Sequence, residues 1–446
     1  MRNKISCFLL FILMAFSGQA QTWMPVSTGI TGTASNTTWS LFAYDSVLYS
    51  GGWFNNAGGT PVNDFAQWNG SNWSSVGKGT SGFINAITEY NGNVYVGGSF
   101  DTVGGIVAHE IGMWNGSKWA ALGSGTESSQ YGVYSMLSYK GNLYVGGNFD
   151  SAGGKAVYGV AQWNDTNWSS LGAGVIGTDE EDGVFAMAIY KGDLYIAGDF
   201  VCASGTNIAK WNGTTWSSVG GGTVGPVYAL AVYNGNLYAG GFMTEAGATS
   251  VNNIAMWDGT NWFALDSGVT GESGWASVNA LASYNGELYV GGSFDTVNGM
   301  PINCIAKWNG TAWSPVGSGI DANGSVDAMT VYNNALYVGG GFDSAGGVSA
   351  KNIAMWTSPS AVQELNQNNE IRIYPNPVSN VLFVQTQGII GGNYSIYNEI
   401  GQRIEDGNLN SLQKISIDVS SFSSGIYFVR VTANNGRVYN GKFIRS

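Results

Sequence analysis

The sequence LYVGGNFDSAGG at residues 143–154 is one of seven variants of the same string along the chain. Its tyrosine recurs about every 48 residues, at Tyr49, Tyr95, Tyr144, Tyr195, Tyr238, Tyr289 and Tyr337. A tryptophan follows 19 residues later in six units and 16 later in the fourth, at Trp68, Trp114, Trp163, Trp211, Trp257, Trp308 and Trp356. A second tryptophan lies five residues further on in six units, at Trp73, Trp119, Trp168, Trp216, Trp262 and Trp313. The seventh unit lacks this second tryptophan, and Trp23 near the start of the chain has the matching sequence context.

Each unit contains four short runs of alternating apolar and polar residues separated by turn residues, which is typical of four antiparallel strands. In the fifth unit these runs cover residues 227–233, 237–242, 253–257 and 262–265, with Asn234-Gly235 and Asp258-Gly259 as tight hairpin turns. One four-stranded sheet cannot bury both of its faces, whereas seven arranged radially can. The sequence therefore predicts an all-β fold, a seven-bladed β-propeller over residues 21–356, whose last blade is completed by the Trp23 strand.

The composition excludes several classes of protein. The 446 residues include 17 Trp, 23 Tyr and 19 Phe, so the chain is too aromatic to be disordered, although 68 are Gly and only 10% are charged. With three cysteines and a single histidine, His109, the chain cannot form a zinc finger or a site that needs two imidazoles. We interpret the repeated Tyr and Trp residues as packing between blades rather than as a cofactor site. His109 follows a Gly-Gly strand and is predicted to lie at the surface.

The first 20 residues have the pattern of an export signal. Arg2 and Lys4 precede an apolar run over residues 7–16, and small residues then lead to a predicted cleavage between Ala20 and Gln21. No later stretch approaches the roughly 18 apolar residues of a membrane span, so the mature protein is expected to be soluble. Cys202 and Cys304 remain after cleavage and are predicted to be two buried thiols rather than a disulfide, because they occupy different positions of the repeat and lie two units apart.

The order of strands, Gly-Gly and spaced aromatic residues resembles the kelch-type propellers, and the unit at residues 143–154 resembles repeats of cell-surface propellers in that broad group. The resemblance spans residues 21–356 and implies a fold rather than an activity, because propellers include both binding modules and unrelated enzymes.

The repeat ends after Trp356, and the polar segment 357–370 is predicted to be a linker. Alternating runs at residues 371–374, 381–385, 394–397, 414–419, 425–431 and 438–443 then predict a small, Ig-like β-sandwich over residues 371–446. Its motifs, YPNPVSN at 374–380, IYNEIGQ at 396–402, IDVSSFSSGIYFVR at 417–430 and KFI at 442–444, resemble the type A C-terminal sorting domain of the type IX secretion system. This resemblance implies a Gram-negative bacterium of the Bacteroidetes kind, recognition by the type IX machinery, and a secreted or surface-attached protein. The alternative is a permanently attached sandwich that binds a ligand.

The charges divide along the same boundary. Residues 21–366 contain eight Lys, no Arg and 24 Asp plus Glu, a formal charge of −16, whereas residues 367–446 contain seven basic and five acidic residues. Nucleic acid is therefore a poor partner, because phosphate binding needs clustered cations. The absence of Arg from the body also excludes a sialidase, and the single histidine excludes a copper-radical galactose oxidase.

One dense group of acidic residues, Asp179, Glu180, Glu181 and Asp182, lies in the long connection between the third and fourth units. The main interpretation is a solvated loop, and the alternatives are a calcium site built from these oxygens or a catalytic group. No other metal and no organic cofactor is predicted.

Four units share the string Phe-Asp-Ser/Thr-Ala/Val after Gly-Gly. The aspartate is expected to cap amides of its own turn. The strings also resemble the O-glycosylation signal of this bacterial group, which implies four candidate acceptors, Thr102, Ser151, Thr296 and Ser344.

The innermost strands share the pattern Val-x-Ala-Leu/Met, and the variable residue x is predicted to lie beside the central channel. These residues are Trp39, Asn85, Tyr134, Phe185, Tyr228, Asn279 and Asp327, and Trp275 in a loop between blades joins them as a candidate. Aromatic rings, amides and a carboxylate suit a ligand that stacks and hydrogen-bonds, either a glycan or a protein. Packing between blades is the alternative role.

The sequence therefore predicts a secreted or cell-surface binding or adhesion module without catalysis of its own. The alternative is a glycan-cleaving enzyme that uses two carboxylates held close together at the mouth of the channel.

Overall fold

The structure is a computed structural model that describes residues 21–32, 36–128, 132–176, 182–202, 204–272, 274–357, 371–374, 378–386, 391–398, 402–409, 414–434 and 438–445. The chain divides into two compact units, Met1–Pro359 and Ser360–Ser446. Every secondary-structure element in the described part of the chain is a β-strand. Within these ranges there is no helix with the length and apolar character needed to cross a bilayer.

The first unit consists of seven four-stranded antiparallel sheets, which we number as blades 1 to 7, with strands A to D from the inside outward. The strands A to D are Thr37–Tyr44, Val47–Trp53, Phe65–Trp68 and Trp73–Ser75 in blade 1; Ile84–Tyr90, Asn93–Gly98, Ile111–Trp114 and Trp119–Ala121 in blade 2; Gly132–Tyr139, Asn142–Asn148, Val160–Trp163 and Trp168–Ser170 in blade 3; and Gly183–Tyr190, Asp193–Cys202, Gly205–Trp211 and Trp216–Ser218 in blade 4. They are Val227–Tyr233, Asn236–Gly241, Ile254–Trp257 and Trp262–Ala264 in blade 5; Ser277–Tyr284, Glu287–Ser293, Ile305–Trp308 and Trp313–Pro315 in blade 6; and Ser325–Tyr332, Ala335–Gly341, Ile353–Thr357 and Thr22–Pro25 in blade 7.

The seven blades form a closed ring. Each strand A contacts the strands A of both neighbouring blades, and that of blade 7 contacts that of blade 1. The buried residues fall into seven hydrophobic clusters, each shared by two neighbouring blades. Blade 7 takes its outer strand from the start of the chain, so that Trp23 lies opposite Trp356 in the register. The fold of this unit is therefore a seven-bladed β-propeller whose core lies between the blades.

The repeated Gly-Gly has two separate steric causes, shown by blade 1. A Cβ on Gly51 would overlap the side chain of Ile84 in blade 2, so the first glycine allows the blades to approach closely. A Cβ on Gly52 would overlap the carbonyl oxygen of Thr37 in strand A of the same blade. The second glycine therefore accommodates an irregular pairing between strands A and B.

The lattice aromatic residues pack between blades. The repeated tyrosines of strand B are buried, and so are 11 of the 14 paired tryptophans. In most blades the indole N–H of the second tryptophan donates to a carbonyl of the preceding blade, as Trp168 does to Leu122 at 2.9 Å and Trp262 to Val219 at 3.0 Å. The same bond closes the ring, where Trp23 donates to Val316 at 3.0 Å.

Small sheets lie at the edge of the blades where strand A begins and strand B ends. We call this edge the mouth face. Their strands are Ile30–Thr31, Asn56–Ala57 and Thr60–Pro61; Thr102–Val103 and Ile106–Val107; Thr126–Glu127, Ser151–Ala152 and Lys155–Ala156; Thr223–Val224, Glu245–Ala246 and Thr249–Ser250; Val269–Thr270, Thr296–Val297 and Met300–Pro301; and Ser344–Ala345 and Val348–Ser349. Each hairpin follows strand B of its blade, so segments that the sequence analysis treated as loops are ordered by backbone pairing.

The second unit is a β-sandwich. One sheet contains Ile371–Tyr374, Val381–Thr386 and Lys414–Asp418, and the other contains Arg403–Asn408, Gly392–Asn398, Gly425–Ala433 and Val438–Arg445. The strand Arg403–Asn408 was not predicted from the sequence. It is a polar edge strand whose residues are mostly exposed, so it lacks the apolar alternation on which the other strands were predicted.

The two cysteines do not form a disulfide, as predicted. Cys304 is buried beside strand C of blade 6, whereas Cys202 is only half-buried at the end of the long strand B of blade 4. The expectation of two buried thiols is therefore wrong for Cys202, because blade 4 extends its strands B and C into one hairpin that reaches towards solvent.

Candidate functional site: the mouth of the propeller channel

The seven candidate channel residues share one structural feature. Each is skipped by the register between strands A and B, so that it forms a β-bulge in the innermost strand. In blade 5, for example, Val227 lies opposite Gly241 and Ala229 opposite Gly240, which leaves Tyr228 outside the ladder. A bulge redirects a side chain out of the regular alternation. The seven bulged residues are Trp39, Asn85, Tyr134, Phe185, Tyr228, Asn279 and Asp327, and all are half-buried.

Three of the bulged residues form an aromatic arc across blades 3, 4 and 5. The rings of Tyr134 and Phe185 lie 5.0 Å apart in an edge-to-face arrangement. Those of Phe185 and Tyr228 lie 5.6 Å apart at 50°. These contacts join successive blades, so the side chains line the inner surface side by side and also help to hold the blades together.

The opposite side of the ring is polar. The amide of Asn279 in blade 6 donates to Oδ1 of Asp327 in blade 7 at 2.9 Å, and the Ser325 hydroxyl donates to Oδ2 at 2.8 Å. Burial raises the pKa of the Asp327 carboxyl, and these two hydrogen bonds act against that rise. In blade 2 the Asn85 amide donates to the carbonyl of Val133 at 3.2 Å.

A second aromatic group surrounds Trp39 in blade 1. Its ring contacts Phe83 edge-to-face at 5.1 Å and Trp53 at 6.5 Å. Trp53 is 45% exposed. Neither Trp53 nor Phe83 was among the predicted site residues, although Trp53 follows Gly-Gly at a position where most blades have a small or polar residue.

Trp275 stands apart from the other candidates because of its exposure. It is 74% exposed, and its ring stacks on Phe242 at 5.4 Å with an interplanar angle of 13°. Phe242 follows Gly-Gly in blade 5, as Trp53 does in blade 1, and it too was missed by the sequence analysis. The two aromatic groups therefore use the same position of the repeat on the mouth face.

The carboxylate of Asp199 lies near the arc. Burial raises the pKa of Tyr228, and the nearby carboxylate of Asp199 raises it further. Asp199 follows the residue pair Ala197-Gly198 within the long strand B of blade 4. An acidic mouth repels anionic ligands and favours neutral ones.

The predicted calcium group falls mostly outside the described residues. Asp179, Glu180 and Glu181 are not among them. Asp182 is buried, and its backbone carbonyl accepts a hydrogen bond from the Asn148 side-chain amide. Within the residues that the structure describes, no cluster of His, Cys, Asp and Glu has the geometry of a metal site. The calcium site stays a prediction. His109 is exposed, as predicted.

The four candidate glycosylation residues begin the small strands of the mouth face and are half-buried. Ser151 donates to Glu127 at 3.2 Å and Thr296 to Asp295 at 2.9 Å, while Thr102 and Ser344 hold the same place in their blades. Modification of these residues stays a prediction.

The aspartates after Phe do not cap their own turns, contrary to expectation. In blade 7 the carboxylate of Asp321 accepts from the amides of Asp343 and Ser344, both at 2.7 Å. In blade 2 the hydroxyl of Ser81 accepts from the amides of Asp101 and Thr102. In blades 2 and 7 the cap therefore comes from the connection that enters the blade. In blade 6 the Asp295 carboxylate instead accepts from the Glu272 amide of that connection.

The predicted cleavage site lies at the limit of the described residues. Ala20 is outside them, and Gln21 is the first residue described. The Trp356 indole donates to Oε1 of Gln21 at 2.8 Å. The start of the predicted mature chain thus contacts the last blade.

The solved structures that are similar to this chain share little sequence with it. One is the extracellular domain of a putative hybrid two-component system from B. thetaiotaomicron, with 9% sequence identity and a TM-score of 0.49, covering 95% of this chain and 57% of that one. Another is a GH74 enzyme from Niastella koreensis, with 12% sequence identity and a TM-score of 0.43, covering 94% of this chain and 74% of that one. A third is the β-propeller domain of Cps50 from Myceliophteria thermophila, with 9% sequence identity and a TM-score of 0.42, covering 76% of this chain and 99% of that one. The chain spans 57–59% of the length of the first three such structures. Because these scores lie below 0.5, the fold assignment rests on the strands and contacts described above.

No curated protein matches the chain in sequence. Residues 372–445 match the family of secretion system C-terminal sorting domains, in agreement with the motifs of the second unit. The chain therefore consists of a β-propeller followed by a C-terminal sorting domain of the type IX secretion system, and the protein is secreted or displayed on the outer surface of a Gram-negative bacterium.

Proposed function

We propose that the propeller is a non-catalytic recognition module that binds a glycan at the mouth of its channel. The observation that carries this proposal is the ring of seven bulged residues, in which an aromatic arc faces a hydrogen-bonded pair of Asn279 and Asp327. The kelch-type resemblance is compatible with this role but does not identify a ligand.

The two sides of the ring match the two kinds of surface on a sugar. The apolar C–H face of a pyranose packs on an aromatic ring, and its hydroxyls require hydrogen-bond partners. Tyr228 and Phe185 offer rings, and the remaining hydrogen-bonding capacity of the Asn279 amide offers a donor and an acceptor. A purely apolar ligand would leave these polar groups without partners, which costs binding free energy.

Export supports the same role. The sorting domain directs the protein across the outer membrane through the type IX machinery, so the mouth meets molecules outside the cell. A body with a formal charge of −16 and no Arg is poorly suited to nucleic acid or to anionic polymers, so the glycan we propose is a neutral one.

The test is a glycan array probed with the mature chain, residues 21–446, beside Tyr228→Ala and Asn279→Ala variants. Phe263→Ala is the matched control, because Phe263 is an exposed aromatic residue on an outer strand. We expect both mouth variants to lose the glycan signal and the control to retain it. Equal signals from all four proteins, or binding of the wild type to surface proteins but to no glycan, would refute the proposal.

A glycan-cleaving enzyme is the second candidate, and one observation favours it. Burial raises the pKa of Asp327, as a general acid requires, and Asp199 supplies a second carboxyl in blade 4. Asp327→Asn separates the two functions. If the protein hydrolyses its glycan, the variant should bind without cleaving it, whereas a recognition module releases no reducing ends before or after the substitution.

A further inference from the structure

We infer that Phe242 and Trp275 form a second sugar-stacking platform above the aromatic arc, so that the ligand is a neutral oligosaccharide rather than a single sugar. This inference rests on the proposed function and adds the length and charge of the ligand to it.

The platform lies directly beside the arc. Phe242 follows Gly241, which pairs with Val227, and the Phe242 amide donates to the carbonyl of Pro226 at 3.0 Å. Phe242 therefore lies opposite a residue only two positions from Tyr228. With a strand spacing of about 4.8 Å and a rise of about 3.3 Å per residue, their backbones are roughly 8 Å apart. A chain of sugars that begins at Tyr228 reaches Phe242 within its next units.

The stack presents one open aromatic face. Trp275 lies nearly parallel to Phe242 at 5.4 Å, and 74% of it remains exposed. One face of the indole is covered by the Phe242 ring, and the other faces solvent. A flat, apolar, exposed ring of this kind suits the C–H face of a pyranose.

Described residues of the loop that carries Trp275 are hydrogen-bonded. The Glu272 amide donates to the Asp295 carboxylate at 3.0 Å, and the Gly274 amide donates to the Gly271 carbonyl at 3.0 Å. The ring stack supplies a third restraint. A platform that is ordered before binding loses less conformational entropy when a ligand arrives.

The surrounding charges decide the class of sugar. Asp199 lies near Tyr228, Asp327 lies in the ring of bulged residues, and Glu272 and Asp295 lie in or against the Trp275 loop. These carboxylates repel sulfate, uronate and sialic acid groups. The expected ligand is thus built from hexose, pentose or N-acetylhexosamine units without charge.

The experiment uses an array of ladders, from one to six units, of β-1,4-linked glucose, xylose, mannose and N-acetylglucosamine, together with sialylated and sulfated glycans. It compares the mature wild-type chain with Trp275→Ala, Trp275→Phe, Tyr228→Ala and the control Phe263→Ala. Trp275 and Phe263 are exposed, so these variants are expected to fold, and equal melting temperatures verify this.

We expect wild-type affinity to increase with the length of a neutral ladder. Trp275→Ala should lower the affinity for three or more units by about tenfold and leave binding of the single sugar unchanged, while Trp275→Phe keeps most of the affinity. Tyr228→Ala should lose binding at every length. Unchanged length dependence in Trp275→Ala would overturn the platform, and preferential binding of sialylated or sulfated glycans would overturn the charge selection. If the wild type binds no glycan on the array, the proposed function itself fails.

Discussion

The indole rings of Trp23 and Trp356 lie 5.2 Å apart at 52°, although the two residues come from opposite ends of the propeller sequence. The tryptophan pairs within blades 1 to 6 have nearly the same geometry, with separations of 5.0–5.3 Å. The N-terminal strand therefore reproduces in blade 7 the outer strand that every other blade receives from its own unit. The segment that completes blade 7 has only four residues, Thr22–Pro25.

Replacement of Trp23 by Ala should destabilise the propeller by about 3–5 kcal/mol, the usual cost of truncating a large buried aromatic residue. Trp23 is only 5% exposed and donates to the Val316 carbonyl, so the variant loses both packing and a hydrogen bond. Thermal or denaturant unfolding of the mature chain measures the effect. Met24→Ala in the same strand is the control, because Met24 is exposed and should change stability little.

Deletion of residues 21–29 tests closure as a whole. It removes the outer strand of blade 7 and leaves strand C with an open edge, so the melting temperature should fall strongly. An equal deletion of residues 358–366 is the comparison. Similar melting temperatures for the two deletions would contradict a stabilising role for the N-terminal strand.

The arrangement of the blades was predictable because its causes recur in the sequence. The spacing of Tyr, Gly-Gly and paired Trp reflects contacts that every blade makes with the next, so seven copies of one pattern report seven copies of one interface. The displaced Trp23 was visible for the same reason. By contrast, the strand Arg403–Asn408 has no repeat and little burial to reveal it.

The site was predictable only in part. The repeated pattern Val-x-Ala-Leu/Met of strand A identified the variable residue beside the central channel. It did not reveal the bulge that turns this residue out of the ladder, since a bulge depends on the pairing of two strands. Trp53, Phe83 and Phe242 were not predicted as site residues, because only their ring contacts with residues of other loops and blades place them in the site. Those contacts leave no periodic signal.

Asp64 occupies a position that is Asn in three other blades. Asn253, for example, accepts from the Met243 amide at 3.2 Å and donates to the Val269 carbonyl at 2.8 Å, which ties its blade to the next connection. Asp64 accepts from the Phe54 amide at 2.8 Å in the same way, but an ionised carboxylate has no hydrogen to donate. Burial raises its pKa to about 6, against the opposing effect of the Phe54 amide.

This raised pKa predicts a pH dependence of stability. Because the folded state binds the proton more tightly than the unfolded state, the contribution of Asp64 is fully present below about pH 4 and is lost as the pH rises through about 6. Asp64→Asn should remove this slope and stabilise the protein at pH 7 by about 1–2 kcal/mol, a value reduced for partial exposure. Urea unfolding between pH 4 and 8 checks both effects. A parallel stability profile for wild type and variant would contradict the prediction.

Removal of residues 371–446 should block export at the outer membrane. The truncated chain keeps its signal sequence and the complete propeller, so we expect a folded protein that accumulates in the periplasm. Cell fractionation with an antibody against the propeller measures its location, and protease resistance verifies its fold. Normal amounts of truncated protein outside the cell would refute the sorting role of the second unit.

The last prediction separates binding from packing at the mouth. Trp39, Tyr134 and Tyr228 are half-buried and contact other aromatic rings, so each contributes to blade contacts as well as to the surface. We expect each Ala variant to abolish glycan binding with a stability loss well below the roughly 3–5 kcal/mol of a fully buried aromatic residue. Unfolding and glycan affinity, measured on the same preparations, provide the two readouts. A large stability loss with unchanged affinity in the folded fraction would show that these rings serve only as packing between blades. A packing residue affects binding solely through the amount of folded protein.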